Sequence, residues 1–432
     1  MKAALQFCNE EDGVRDVEVD VPDENLIGIV EANRVRLSAD IREDVIKAIE
    51  NPIASPKLEE ICTPGKKVTI LCEDITRNSP THIIIPALIE KLMKNGVPRE
   101  NVNIVMALGS HRYMTENEMI QKVTEEVYDH FRVENSAFRE PDKQVSLGKS
   151  PDGVEIMASA AALIGDVRIG VSGINPHPGL GWSGGAKILY PGVCSEQNVF
   201  AFHIHQGLTD ENYFGQDDCP LRLMVEQWAP TIGLDFIVNT VMSGAAGMYK
   251  CVAGHYISAH RKGVEYAKEL YCVKIPEPAD VVIISGYPYD IDFSQSLKAC
   301  AVADKGMKGE RGGSIIVLSP CQEGIGPHAS SHRWIGYDDA HERLVDIKEG
   351  RAPIPKEDPV GVALSVHMSK IRQRREHIIV TDGVERETAE MAQVRYYPMR
   401  DMQKAVDETL AKYENPRALV VPNNTMLLRY DH

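Results

Sequence analysis

The chain has 432 residues, 43% hydrophobic and 25% charged, the makeup of a globular protein long enough for two cores. Its 47 basic and 63 acidic side chains leave a net charge of −16. That balance argues against a nucleic-acid or anionic-membrane partner, which would need a basic face, but a small anionic substrate requires only a few local Arg and Lys.

Short β-branched runs alternate with amphipathic stretches, the rhythm of an α/β protein with largely parallel sheets. A strand over 67–72 leads to a helix over 81–94, where Ile84, Ile85, Leu88, Ile89 and Leu92 recur at helical spacing. A strand over 101–108 follows, and Thr115 with Glu118 three residues on forms a capping-box signature. The strand over 166–171 feeds a glycine-rich stretch, and a strand over 235–242 and a helix over 259–271 come next. Pro276-Glu277-Pro278 marks a break. Beyond it we expect strands over 281–285, 314–318 and 378–381, a helix near 294–307, a loop over 349–359, a helix over 401–413 and a strand over 418–421. The expected fold is two α/β domains with mostly parallel sheets around an interdomain active-site cleft. Their spans are 1–272, with 414–432 able to return to it, and 277–413.

No apolar run approaches the length of a membrane span, and the one after Met1-Lys2 is too short for a signal peptide. Nine cysteines, none spaced Cys-x-x-Cys, read as reduced thiols of a cytoplasmic protein.

Five stretches carry residues fit for chemistry. Asp74-Ile75-Thr76-Arg77 follows the first strand, where ligands of open α/β sheets sit; Arg77 can clamp a carboxylate or phosphate, although the stretch reads equally well as a locally capped turn. Gly109-Ser110-His111-Arg112 follows the next strand and offers an acid/base imidazole, which by itself reads more readily as a surface histidine. From Asn175 to Gly192 the chain reads Asn-Pro-His-Pro-Gly-Leu-Gly-Trp-Ser-Gly-Gly-Ala-Lys-Ile-Leu-Tyr-Pro-Gly. Prolines aim His177, and Lys187 follows the glycines as a nucleophile or cofactor anchor. A nucleoside-triphosphate loop would need Ser or Thr after that lysine, and here it is Ile188. His203 and His205 share a face in a strand and diverge in a helix; either can ligate a metal. Gln295 and Lys298 share a face at a helix start, which alone reads as a solvated surface.

Taken in order, these motifs resemble the nickel-dependent lactate racemases and their wider family of 2-hydroxyacid racemases and epimerases. The likeness rests on Asp74-x-Thr76-Arg77, Gly109-x-His111-Arg112, His177 ten residues before Lys187, Ser183-Gly184-Gly185-x-Lys187, His203 sixteen residues on, and Gln295-x-x-Lys298. The resemblance implies a nickel-pincer nucleotide attached covalently to Lys187 and held by Asp74, Thr76, Ser183, Gly184 and Gly185, with His203 as the metal ligand. It implies His111 and His177 as catalytic acid/bases, and Arg77, Gln295 and Lys298 as substrate-binding residues. The reaction would invert the Cα centre of a 2-hydroxyacid by reversible hydride transfer, and cofactor maturation proteins would be partners. Two departures, Ser294 and the 178–182 segment, lie where substrate should sit and point away from simple lactate. His328, His332, Arg333 and Trp334 follow a Gly-rich turn and are candidate pocket residues; His205 has no assigned role. The competing readings are a zinc hydrolase built on His111, His177 and His203, and a cofactor-binding protein without turnover.

Overall fold

The computed structural model describes residues 1–9, 13–109, 111–151, 153–209, 211–356 and 358–430. They form two compact units. The loop unit comprises Arg34–Phe202 and Gly215–Leu270, and the terminal unit comprises Met1–Asn33, His203–Phe214 and Tyr271–His432.

The loop unit is built on a six-stranded sheet in the order Met248–Gly254, Phe236–Met242, Val167–Gly173, Val68–Glu73, Val102–Ala107, Arg132–Asn135. Only the Met248–Gly254 edge runs antiparallel to its neighbour. Val68–Glu73, Val102–Ala107 and Phe236–Met242 are buried along their whole length, which is why they read as continuous apolar runs instead of alternating ones. The helix Thr81–Lys94 has the bounds its periodicity predicts, and packs Ile84, Ile85, Leu88 and Leu92 against Ile70 and Ile104. A second core, on Leu71 and Val105, gathers Tyr190, Phe202 and Trp228, with Tyr190 edge-on to Trp228 at 4.7 Å. Chain order runs outward in opposite directions from Val68–Glu73 and Val167–Gly173, so the switch point of the sheet lies between them.

The terminal unit has an all-parallel sheet in the order Arg395–Tyr397, Glu376–Val380, Ser314–Leu318, Val281–Ser285, Ala418–Val421, Leu26–Ile29. Its switch point lies between Val281–Ser285 and Ala418–Val421. The antiparallel hairpin of Lys2–Asn9 with Gly13–Asp20 adds Leu5 and Val19 to the same core.

These pairings correct the expected domain spans. Residues 1–33 belong with the C-terminal sheet, and the strand Ala418–Val421 stays there between Val281–Ser285 and Leu26–Ile29. The reason is that parallel pairing joins backbone from opposite ends of the chain, and no local pattern names the partner. The helix expected near 294–307 is two, Phe293–Ser296 and Lys298–Lys305. Among the described residues, no helix is long and apolar enough to cross a membrane.

His367, on the helix Pro359–Arg374, and His377, on the strand Glu376–Val380, are buried, and neither ring nitrogen has a hydrogen-bond partner among the described residues. Burial pushes their pKa values down to about 4 and about 3. The unfolded chain takes up these protons near 6.5, so below that pH it binds more protons than the folded chain does, and stability rises with pH through the window. We expect the urea midpoint to fall as pH drops from about 6.5 towards 4, with the unfolding free energy falling by up to roughly 1.4 kcal/mol per pH unit for each histidine. A midpoint that holds constant across that range would contradict this assignment.

Candidate active site

In the loop unit the switch point is tied together by a carboxylate. Glu73, at the end of its strand, accepts from the Ser79 amide at 3.0 Å and the Gly173 amide at 2.6 Å, and meets Lys122 at 3.5 Å. The next residue, Asp74, is buried. Its Oδ1 accepts from the Thr76 amide (2.8 Å) and hydroxyl (2.5 Å), while Oδ2 lies 2.9 Å from His111 Nδ1. The carboxylate therefore caps its turn and orients the imidazole at once. Burial by itself would raise the Asp74 pKa, but His111, Arg77 and the Thr76 hydroxyl outweigh it and hold the carboxyl well below the usual range. An ionised acceptor places the proton of the neutral His111 ring on Nδ1 and makes Nε2 the basic nitrogen, the tautomer a general base needs. Arg77, half-buried, donates to the Thr76 hydroxyl at 2.9 Å. Arg112 is exposed and forked onto Glu118 at 2.9 and 2.6 Å, within the Thr115–Glu118 capping box. Ser110 lies outside the described residues.

The Gly109 amide donates to the Gly192 carbonyl at 3.0 Å, so the His111 segment adjoins the end of the glycine loop. Within that loop Pro176–His177 pairs with Gly181–Trp182. Gly181 has φ +71°, and a Cβ there would lie 1.8 Å from the Gln216 carbonyl oxygen, so only glycine fits. The His177 ring is held differently from His111. Its Nδ1 accepts from the Gly179 amide at 3.2 Å and the Leu180 amide at 3.1 Å, which puts the proton of the neutral ring on Nε2. The Ser183 hydroxyl donates to the Gly173 carbonyl and accepts from the Asn175 amide, both at 2.8 Å. Lys187 then sits half-buried in the short turn Gly185–Ile188.

Three buried residues that sequence reasoning missed hold this loop. Asn239 Oδ1 accepts the Gly185 amide at 2.9 Å. Arg222 donates to the carbonyls of Gly184, at 3.1 Å, and Trp182. His260 Nε2 meets the Ser183 carbonyl at 2.8 Å. Burial pushes the Arg222 guanidinium down to about 10, against the pull of Glu226. Burial, and then the nearby Arg222 charge, drive His260 well below its ordinary value, so it acts as a neutral N–H donor. The Arg222-x-x-x-Glu226 spacing was the one legible signal; nothing local marked Asn239 or His260.

In the terminal unit His203 is buried and His205 half-buried on the helix Glu196–Leu208, so the two rings diverge. The Asp292 side chain caps the helix Phe293–Ser296, accepting from the Gln295 amide at 2.9 Å and its Nε2 at 2.8 Å, and Lys298 Nζ lies 3.5 Å from Gln295 Oε1. The pair expected from spacing is thus brought together, beyond the carboxyl end of Val281–Ser285. Ser294 donates to the Ile325 carbonyl at 3.0 Å and meets the Ser331 hydroxyl at 2.7 Å. His328 is buried in its turn, and on the following helix Ser331–Gly336 His332 is buried, Trp334 is half-buried and Arg333 is exposed.

Among the described residues no three His, Cys, Asp or Glu side chains form a metal-holding group. Comparison with known proteins agrees with the motif order. Residues 13–214 match the family described as lactate racemase N-terminal domain. Over 331 residues the chain is 31% identical to the lactate racemase of Thermoanaerobacterium thermosaccharolyticum, covering 73% of this chain and 74% of that one. The chain belongs to the lactate racemase family. It is also 29% identical over 343 residues to the lactate racemase of Lactiplantibacillus plantarum, covering 76% of this chain and 78% of that one. The lactate racemase apoprotein structure from T. thermosaccharolyticum matches with a TM-score of 0.85 at 25% identity, over 99% of this chain and all of the other. A Thermotoga maritima protein shares the fold, with a TM-score of 0.70 at 20% identity over 90% of this chain and 98% of its own.

Proposed function

We propose that this family member is a 2-hydroxyacid racemase or epimerase whose Lys187 carries a nickel-pincer nucleotide, and that its substrate is larger or more polar than lactate. The observation that carries this reading is the Asp74–His111 pair at the switch point, beside the loop that presents Lys187. The residues suit such a group. Lys187 offers a half-buried amine on a turn pinned by buried donors and acceptors. A nickel-pincer nucleotide carries most of its own donors, so one protein imidazole would complete its set, and the resemblance gives that place to His203. When bound, the group would take the Cα hydride and return it.

The chain's own residues do the rest. The resemblance assigns Arg77, Gln295 and Lys298 to the substrate: a guanidinium suits its carboxylate, and Gln295 and Lys298 lie side by side as a polar pair. His111 Nε2 takes the hydroxyl proton as Cα becomes planar, and Asp74 balances the imidazolium charge. His177 offers its Nε2–H to the substrate oxygen. To serve as base for the opposite stereoisomer, its Nδ1 must exchange the two amide donors for a proton. Asp74, Thr76, Ser183, Gly184 and Gly185 would hold the cofactor whose anchor is Lys187. The acids most at home here carry polar groups beyond C2, since the short Ser294 side chain is turned onto Ile325 and Ser331.

The test is a panel of enantiopure 2-hydroxyacids with enzyme matured alongside its cofactor-synthesis proteins, run in deuterium oxide. We expect loss of optical rotation with little deuterium at Cα, because hydride does not exchange with solvent. Deuterium entering as fast as rotation is lost would establish Cα proton abstraction and defeat the hydride route. Stoichiometric zinc with hydrolysis would defeat the whole reading.

A further inference from the structure

The terminal unit holds a second carboxylate-bound imidazole that these roles leave unused. His328 lies in the turn after Ser314–Leu318, with Nδ1 3.0 Å from Asp358 Oδ1. Asp358 caps the helix Pro359–Arg374 through the Gly361 amide at 2.9 Å, and its other oxygen accepts from the Ser330 hydroxyl at 3.3 Å. Burial opposes ionisation of Asp358, but the His328 bond and the two amides outweigh it and keep its pKa below the ordinary value. The neutral imidazole therefore carries its proton on Nδ1. His328 is only 6% exposed, and no described residue bonds its Nε2. Nε2 is nevertheless absent from the fully enclosed polar atoms that lack a partner, a group that does include His332 Nδ1 and both nitrogens of His367 and His377. Nε2 thus keeps some access to solvent and has no hydrogen-bond partner among the described residues.

The His328 turn is also fastened to the substrate-holding segment. Ser294 bonds Ile325 and Ser331, the Phe293 amide donates to the Gly324 carbonyl at 2.9 Å, and Gly326 packs so closely that a Cβ would lie 2.5 Å from Asp292 Cγ. Asp292 is the residue that caps Gln295. His328, Gln295 and Lys298 therefore share one rigid frame.

We infer that His328, oriented by Asp358, is a subsite for a hydroxyl group that the substrate carries at C3 or beyond, which makes the substrate class polyhydroxy 2-hydroxyacids. This rests on the racemase reading above. A hydroxyl suits Nε2 in either protonation state, donating to the neutral ring and accepting from the charged one. A carboxylate suits only the charged ring, and a methyl group suits neither.

The test compares lactate, glycerate and malate, which differ at C3 by a methyl, a hydroxymethyl and a carboxymethyl group. With the matured enzyme kcat/KM for glycerate should exceed that for lactate by about tenfold or more, the discrimination one buried hydrogen bond provides. His328→Ala should collapse that ratio towards one, mainly through KM for glycerate, and His328→Gln should restore part of it. A merely structural role would lower both substrates alike and keep the ratio. Separately, in the nitrogen-15-labelled protein without cofactor, glycerate but not lactate should shift the His328 Nε2 resonance. If that shift appears and no hydroxyacid is racemised, the subsite stands and the catalytic reading falls. If lactate and glycerate are racemised equally with no shift, the subsite falls and the catalytic reading stands. A preference for malate would overturn the hydroxyl assignment.

Discussion

Lys187→Ala is expected to abolish cofactor retention and racemisation together. The amine sits in a turn whose shape is set by other residues, namely Asn239, Arg222 and His260 acting on the backbone of 182–185. Removing the side chain should therefore leave the fold, read by circular dichroism and the urea midpoint, close to that of the parent. Intact-mass measurement on protein matured with the cofactor-synthesis partners should show an adduct on the parent chain and none on the variant. Activity should fall at least about 10³-fold, because the proposed covalent anchor and the hydride acceptor it carries would be lost together. Lys187→Arg is the informative control. It keeps a positive charge but not a nucleophilic amine, so a purely electrostatic role would survive in it and a covalent one would not. Racemisation retained in Lys187→Ala would end the assignment.

The second large effect is expected at Asp74 and His111. His111→Ala should lower kcat/KM by about 10²- to 10⁴-fold, the usual worth of a positioned base, while sparing the adduct on Lys187. For a pair of enantiomers the equilibrium constant is one, so the loss must be equal in both directions even though His111 and His177 are held in opposite tautomers. That asymmetry should appear instead in a single turnover. A chemical quench should find 2-oxoacid formed from one enantiomer in His177→Ala and from neither in an enzyme lacking both rings. Asp74→Asn keeps the size of the side chain but removes its charge, and should reproduce most of the His111→Ala loss by leaving the ring free to adopt the wrong tautomer. The Asp74 pKa is held below the ordinary carboxylate range, so the stability it contributes is present above that range and is lost only as pH falls through its depressed value. A limb in the pH–rate profile between about pH 5 and 8 therefore belongs to an imidazole and not to this carboxylate. Full activity in Asp74→Asn would show that the carboxylate serves only its turn.

The candidate residues could be picked out from the chain because their settings are local. Asp74 and His111 each follow a buried strand, which announces itself as an apolar run ended by polar residues, and Lys187 follows a run of glycines. Thr115 and Glu118 announce a helix start for the same reason, since both partners of the capping box lie within one turn. Helix or strand for His203 and His205 was ambiguous because the apolar residues around them fit either period, and helical packing decided it. The single helix expected near 294–307 failed because Leu297 breaks the run between two short helices, without any proline or glycine to show it.

By itself the sequence determined which residues face the core, where the main helices begin, and the ordered motifs that mark the family; all three depend on neighbours a few residues apart. Only the tertiary structure decided that Leu26–Ile29 pairs with Ala418–Val421, that the loop-unit switch point falls beside Asp74 and the glycine loop, and that Arg222, Asn239 and His260 hold that loop. Those outcomes depend on backbone pairing and buried hydrogen bonds between segments far apart in the chain. The energy of such contacts exists only once the segments meet, so no window of sequence records it.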